Sequence, residues 1–488
     1  MKNSLSVIGA LMLIILASIP RASQSADTQP PKRGKPATQP SQTCAHHAHK
    51  SSTKTLRIAA FEADVTPPIG SVLCHGNVSP AKEIVDPLSA RGIVLLGSGE
   101  PIVLCAVDWV AISNKAHDVF RERLAEAAGT SPDRVAVHTV HQHDTPGVDL
   151  STEEILVQHD LSGAMFDPDV CRQAIERTAA AVKDSLKKAV AVTHVGYGKG
   201  RVEKVASNRR ILNDEGKCVM TRMSSCRNEA ARAAPEGLID PDVRLVSFWA
   251  GDRPVASLTY YACHPQSYYG KGGVSYDFMG MARTARQQAV PAALHVHFDG
   301  AGGNIAAGKY NDGSPENRPV LAARLAKGME EAWNTQKKAP IGVGDVAWAV
   351  QPVQLPVRET LTENDILKRL TDQSLDRKKR VFAARDLAWL HRMTSGHQIP
   401  LACLRVGPVS VLHMPGELCV EYQLAAQKMC PGQFVAMAAY GDDGPGYICT
   451  EIAYRQGGYE TTHVSRVAPG VEQVLTATMQ QLLEATRQ

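Results

Sequence analysis

Val135-Ala136-Val137-His138-Thr139-Val140-His141-Gln142-His143-Asp144-Thr145-Pro146-Gly147 is an apolar, β-branched run that ends in two histidines two residues apart, and Pro-Gly then turns the chain away. Side chains at i and i+2 of a strand share a face. A rigid strand end is therefore expected to present His141 and His143 together, which is how a metal site is built. Taken alone, the motif reads equally well as a hydrogen-bonded core histidine or a surface one.

Three further stretches repeat the pattern of strand, breaker and coordinating group. Ser257-Leu258-Thr259-Tyr260-Tyr261-Ala262-Cys263-His264-Pro265 delivers a histidine and stops at proline. Val409-Ser410-Val411-Leu412-His413-Met414-Pro415-Gly416-Glu417 delivers a carboxylate after Pro-Gly. Phe434-Val435-Ala436-Met437-Ala438-Ala439-Tyr440 runs into a glycine- and aspartate-rich loop ending at Gly446-Tyr447. Each alone is a strand entering a loop. Together they predict a site assembled at strand ends, where function concentrates.

Around these stretches the chain reads as α/β. Hairpins are expected between Gly92–Leu96 and Ile102–Ala106, and between Val243–Trp249 and Val255–Tyr261, each across a glycine-bearing turn. Helical periodicity falls at 116–128, 170–188, 318–335, 362–394 and 469–486. The charge-dense 362–394 segment is expected to project as an insertion. No Pro/Ser-rich break or repeat divides residues 56–488, so mixed β-sheets flanked by helices in a single large domain is the expected architecture.

The first 26 residues have the form of a secretory signal: Lys2, an apolar run from Leu5 to Ile19, then small residues to Ala26. The run is short for a membrane span, which leaves an uncleaved anchor as the weaker alternative. Export to the periplasm or the exterior, with no transmembrane segment in the mature chain, is the expectation. Residues 27–55 are rich in Pro, Gln, Thr, Ser and Lys and read as a disordered linker. The Cys44/His46/His47/His49 cluster within it is a solvated tail or a loose metal binder. The net charge is +4, yet residues 1–54 hold seven Lys/Arg against Asp27, which leaves −2 for the rest. That removes the electrostatic case for a nucleic-acid partner. Of 11 cysteines, Cys105, Cys263 and Cys419 sit in apolar patterns and are expected as buried thiols, while Cys218 and Cys226 flank a polar stretch and make a plausible local bridge.

In order along the chain, Phe61-Glu62-Ala63-Asp64-Val65-Thr66-Pro67-Pro68-Ile69-Gly70, Val140–Gly147, Asn208-Arg209, His264-Pro265, Ser275-Tyr276-Asp277-Phe278-Met279-Gly280, Tyr447-Ile448-Cys449-Thr450 and Tyr459-Glu460 resemble the motifs of the catalytic domain of neutral (alkaline, non-lysosomal) ceramidases. These are zinc amidases that cut the N-acyl bond of ceramide. The resemblance, to a bacterial secreted member without the family's C-terminal immunoglobulin-like domain, implies a Zn2+ ion held by His141, His264, Glu417 and Tyr447. It implies His143 as a proton shuttle or donor to the substrate carbonyl, and Tyr459 and Arg209 as partners of a developing oxyanion or product carboxylate. Asp144 either orients His143 or is a solvated loop residue.

Two departures stand out. Arg210-Ile211 replaces the Ser-Pro that usually follows Asn-Arg, and Ala306 falls where the family carries an essential serine in a glycine loop, Asp299–Gly308. A methyl group neither attacks a carbonyl nor donates a hydrogen bond. The four glycines of that loop are expected to allow close backbone approach to a ligand. Two functions follow: a secreted zinc-dependent hydrolase of an amide, N-acyl, ceramide-like bond or of another small-molecule or lipid-like acyl substrate, or a non-catalytic secreted zinc-binding relative.

Overall fold

The structure is a computed structural model that describes residues 55–487, which fall in one compact unit. The leader (1–26), nearly all of the linker (27–55) and the Cys44/His46/His47/His49 cluster lie outside the described residues. Among those described, no helix is long and apolar enough to cross a membrane.

Glycines at positive φ, Gly97 and Gly99, turn the chain between two apolar runs and so close a hairpin. The chain then forms a helix and returns to add a strand parallel to the second arm. This unit occurs three times and builds three larger sheets. In the first, β1 (Arg57–Asp64), β2 (Ser89–Leu96), β3 (Ile102–Val107), β4 (Val135–Thr139) and β5 (Val190–Ala191) lie in the order β4-β3-β2-β1-β5, and helix Asn114–Ala128 makes the crossover to β4. In the second, β6 (His194–Arg201), β7 (Asp242–Ala250), β8 (Arg253–Tyr261), β9 (Leu294–Asp299) and β10 (Lys337–Pro340) lie in the order β9-β8-β7-β6-β10, with helix Asp277–Ala289 crossing to β9. The third has β11 (Val346–Val353), β12 (Ile399–Val406), β13 (Val409–His413) and β14 (Phe434–Ala438) in simple order, with helix Val420–Met429 crossing to β14. A parallel return needs such a crossover, so each sheet is mixed.

Period-2 alternation then sorts the side chains. Ile102, Leu104 and Ala106 of β3 point into one apolar core that also takes Leu245 and Leu258 of the second sheet and Leu404 and Val411 of the third. Val103, Cys105 and Val107 point the other way, under helices Asn114–Ala128 and Pro168–Ser185. The inner faces of all three sheets thus share a core, and helices cover their outer faces.

Two expectations are corrected. The 362–394 segment is two helices, Glu363–Thr371 and Arg377–Thr394, and it does not project. Ile366, Leu370, Val381 and Leu387 are buried in the core beneath the first sheet; most of the charges visible in sequence lie on the outer faces, while Arg380 and Asp386 are buried with the apolar residues. Cys218 and Cys226 remain free thiols, whereas Cys419, expected as a buried thiol, bridges Cys449 just past the neighbouring strand. Spacing along the chain did not foretell that proximity.

Candidate metal centre

β4 ends at Thr139, before either histidine of the opening motif. His141 takes φ 67, in the left-handed region, so the pair does not share a strand face as the i, i+2 spacing predicted. A sharp loop brings the imidazoles together instead, with ring centroids 5.0 Å apart and edge to face. The loop is anchored where His141 N–H donates to Trp109 O and Val140 N–H to Val107 O, just beyond the neighbouring strand.

His264 follows β8, and its N–H donates to Ile305 O. Glu417 and Tyr447 follow β13 and β14 on a two-stranded parallel ribbon, Glu417–Leu418 with Tyr447–Ile448, where they stand directly opposite each other. Gly416 and Gly446 precede them at φ 60 and 65, and a Cβ on Gly416 would lie 2.7 Å from Gly446 O. The disulfide Cys419–Cys449 closes the ribbon two residues beyond the pair.

The glycine loop does permit close approach, but to this protein's own backbone. A Cβ on Gly303 would lie 2.3 Å from Glu417 O, and one on Gly302 would lie 3.1 Å from Cys263 N. The loop is packed between the segments carrying Glu417 and His264, which corrects its reading as a ligand cradle.

Five donor atoms converge. Glu417 Oε2 lies 3.0 Å from His264 Nε2 and 3.2 Å from His141 Nε2. The Tyr447 hydroxyl is 3.2 Å from His264 Nε2, and His143 Nε2 is 3.3 Å from His141 Nε2. The three imidazoles can each place one ligand nitrogen within 4.8 Å of the others, a group able to hold a metal ion. Tautomers follow from the outer contacts. His141 Nδ1 is 2.6 Å from Val110 O and His264 Nδ1 is 2.7 Å from Gly302 O. A carbonyl only accepts, so both Nδ1 atoms carry a proton. In the neutral rings both Nε2 lone pairs then face the carboxylate, and a cation could be held between these nitrogen and oxygen donors, a set that suits zinc.

The electrostatics set the two rings apart. Burial, helped by Arg209, pushes His264 down to about 3, so it is neutral near pH 7. Burial also works to lower His141, but the Glu417 carboxylate outweighs it and the shift is upward. Burial opposes ionisation of Glu417, yet His141 and His264 hold its pKa well below the ordinary range.

The other anticipated residues lie around this cluster. Arg209 is 1 % exposed and sits behind Tyr447, donating to its hydroxyl at 2.9 Å and to Gly303 O at 3.3 Å. It meets the centre through Tyr447. Tyr459 packs edge-on against Tyr447, ring centroids 5.6 Å apart, and lines the cavity in front of the cluster. Ala306 is wholly buried, paired with Ser207 on a short ribbon. Asp144 is neither solvated nor turned to His143: its carboxylate accepts from Gly270 N–H at 2.7 Å and ties down that loop. His143 instead has Cys74 Sγ 3.6 Å from Nδ1 and the Tyr269 ring beside it. Arg210, at the departure from the usual Ser-Pro, forms a buried ion pair with Glu460 at 3.4 Å and so fixes the turn that carries Tyr459.

A cavity of about 120 Å³ opens onto the cluster, lined by Cys74, His75, Phe382, Arg385, Asp443 and Arg466 besides the residues above. Sequence reading missed these. Only Asp443 stood in a loop already singled out. Phe382 and Arg385 lie on a helix read as an outlying insertion, and Cys74, His75 and Arg466 carry no ligand-like spacing.

Imidazoles pinned by backbone carbonyls around a buried carboxylate, at the strand ends of an α/β fold, form a group that could hold a metal ion. No family model matches the sequence, and no curated protein does. Solved structures do match: a ceramidase complexed with C2, at TM-score 0.66 and 15% identity over 89% of this chain and 75% of that one, and the neutral ceramidase from Pseudomonas aeruginosa, at TM-score 0.66 and 16% identity over 89% and 74%. The fold is therefore neutral ceramidase-like.

Proposed function

We propose that the chain is an exported zinc-dependent amidohydrolase that cleaves an N-acyl, ceramide-like bond. The observation that carries this reading is the pair of Nε2 lone pairs, on His141 and His264, directed at Glu417 Oε2 from imidazoles whose outer nitrogens are pinned to carbonyls. In this reading His141, His264, Glu417 and Tyr447 hold the zinc. His143 does not: its Nδ1 has a thiol at 3.6 Å in place of a carbonyl, and the half-buried ring lines the cavity.

A bound zinc supplies Lewis acidity, lowering the pKa of water to about 7 and polarising a carbonyl. The protein's own groups do the rest. His143, held neutral by burial and by the neighbouring imidazoles, accepts a proton at Nε2 and returns it to the departing amine nitrogen. Tyr459, whose pKa burial and Glu417 raise to about 12, keeps its proton and donates a hydrogen bond to the oxyanion. Arg209 keeps the Tyr447 oxygen in place. The disulfide and the signal-like leader both fit an exported protein.

Metal analysis joined to an acyl-substrate screen tests the reading. The wild type should contain zinc and cleave an N-acyl substrate in a chelator-sensitive way, and His141→Ala should lose both. Full zinc occupancy in His141→Ala overturns the ligand assignment.

Ala306 favours a second reading, a zinc-binding relative without turnover. If the wild type cleaves nothing and Ala306→Ser gains amidase activity, that reading replaces the first. Cleavage by the wild type excludes it.

A further inference from the structure

The cavity before the metal centre has a cationic wall that the amidase reading leaves unused. Arg385 comes from helix Arg377–Thr394 and Arg466 from the segment before the last helix, and Phe382 lies beneath both guanidinium groups at 5.9 and 5.3 Å. Arg466 is 2 % exposed. Its Nε is held by Asp386 at 2.9 Å and its Nη1 by Gly444 O at 3.2 Å, but its Nη2 is buried without a partner. Arg385 makes no side-chain hydrogen bond among the described residues, and its ionic partner is Asp443 at 3.7 Å. His75 also lines the cavity, its ring packed on Gly147 and its Nε2 buried without a partner, in a residue 6 % exposed.

Buried donors without acceptors are costly unless a ligand satisfies them. Asp386 is shared between Arg466 and Arg369, and Arg385 has Asp443 as its ion-pair partner, with Asp149 and Asp386 farther off. The cavity, of about 120 Å³, places this wall beside the metal centre.

We propose that Arg385, Arg466 and His75 form an anion subsite, and that the substrate is an amide carrying a carboxylate close to the scissile bond, such as an N-acyl amino acid. This rests on the amidase reading for the reaction, though not for the binding. Arg385 and Arg466 act as specificity residues, and the apolar Phe382 face lies against the part of the ligand that bears the charge.

Binding is tested on the zinc-loaded full chain with benzenesulfonate, a monoanion that coordinates zinc poorly, and with uncharged benzyl alcohol as control. Calorimetry should show benzenesulfonate binding to the wild type and benzyl alcohol binding far more weakly. Arg385→Gln should weaken the sulfonate by roughly tenfold or more, as expected for a charged hydrogen-bond partner. Arg385→Lys should restore part of the affinity, with zinc content unchanged in both variants. Equal affinity in wild type and Arg385→Gln, or no binding to the wild type, overturns the proposal.

Kinetics then separate the two readings. N-acetylphenylalanine should be cleaved with higher kcat/KM than N-acetyl-2-phenylethylamine, and Arg385→Gln should erase the difference through KM. Sulfonate binding that depends on Arg385, with neither amide cleaved, leaves the subsite standing and removes the amidase. Cleavage of both amides at equal kcat/KM, with no sulfonate binding, does the reverse.

Discussion

Two histidines two residues apart occupy different chemical positions in this protein. His141 is locked between Val110 O and Glu417, while the outer nitrogen of His143 meets a thiol and its ring lies beside a tyrosine. His143→Ala is therefore expected to retain zinc while turnover falls on the order of 10²–10⁴-fold, the usual cost of losing a general acid or base. Loss of zinc along with activity, by elemental analysis, would falsify the assignment and make His143 a ligand. A second residue-scale case is Arg210, whose side chain is 5% exposed and whose partner Glu460 is 0% exposed. Removing one member of a buried pair leaves the other charged and unmatched. Arg210→Ala should cost about 3–5 kcal/mol in denaturant unfolding and impair turnover, because Glu460 adjoins Tyr459. Unchanged stability would mean that the pair does not hold the turn.

The decisive element is the ribbon Glu417–Leu418 with Tyr447–Ile448. Two residues per strand are too few to be stable by themselves. The disulfide Cys419–Cys449, closing a separation of 30 residues, supplies what the ribbon lacks by limiting the unfolded chain, worth about 3–4 kcal/mol by the loop-closure estimate. Since Cys419 and Cys449 stand two residues beyond Glu417 and Tyr447, the bridge also fixes their register. The double variant Cys419→Ser/Cys449→Ser should melt at a lower temperature and release zinc to a chelator faster than the wild type. A variant that melts lower but keeps zinc equally well would separate the two effects, and register would then be set by Gly416 and Gly446 alone.

At the scale of the whole molecule, the proposed ligands come from loops after strands of all three sheets: His141 after β4, His264 after β8, Glu417 and Tyr447 after β13 and β14. An ion at their meeting point ties the sheets together, so chelation should lower the melting temperature as well as activity. The linkage amounts to about 2.7 kcal/mol when free zinc stands at a hundred times its Kd. An apo protein that melts with the holo protein would count against a shared centre. Acid should act through the buried histidines. Burial pushes His138 and His297 down to about 3 and His295 down to about 4. In an unfolded chain such groups protonate near 6.5. Between those values the unfolded state binds more protons, so stability is full above about pH 6.5 and declines as pH falls, by up to about 1.4 kcal/mol per unit for each histidine. Urea midpoints measured from pH 8 to 4 should begin to drop near 6.5, above the carboxylate range. A flat profile down to pH 5 would reject this account.

Local pattern determined much of this. Apolar runs ended by Pro and Gly marked the strand ends before His141, His264, Glu417 and Tyr447, and the helices at 116–128, 318–335 and 469–486 matched Asn114–Ala128, Asn317–Asn334 and Val471–Ala485. These features are legible because periodicity and turn chemistry act over a few residues. Tertiary structure alone decided the rest. It broke β4 before His141, paired Cys419 with Cys449, buried the 362–394 helices and brought Arg385 and Arg466 to one cavity wall. It also repeated one hairpin–helix–strand unit three times where the sequence shows no repeat, since many side-chain sets satisfy the same burial pattern. Contacts between residues 30 to 300 apart depend on which faces pack together, and nothing in the spacing along the chain encodes that choice.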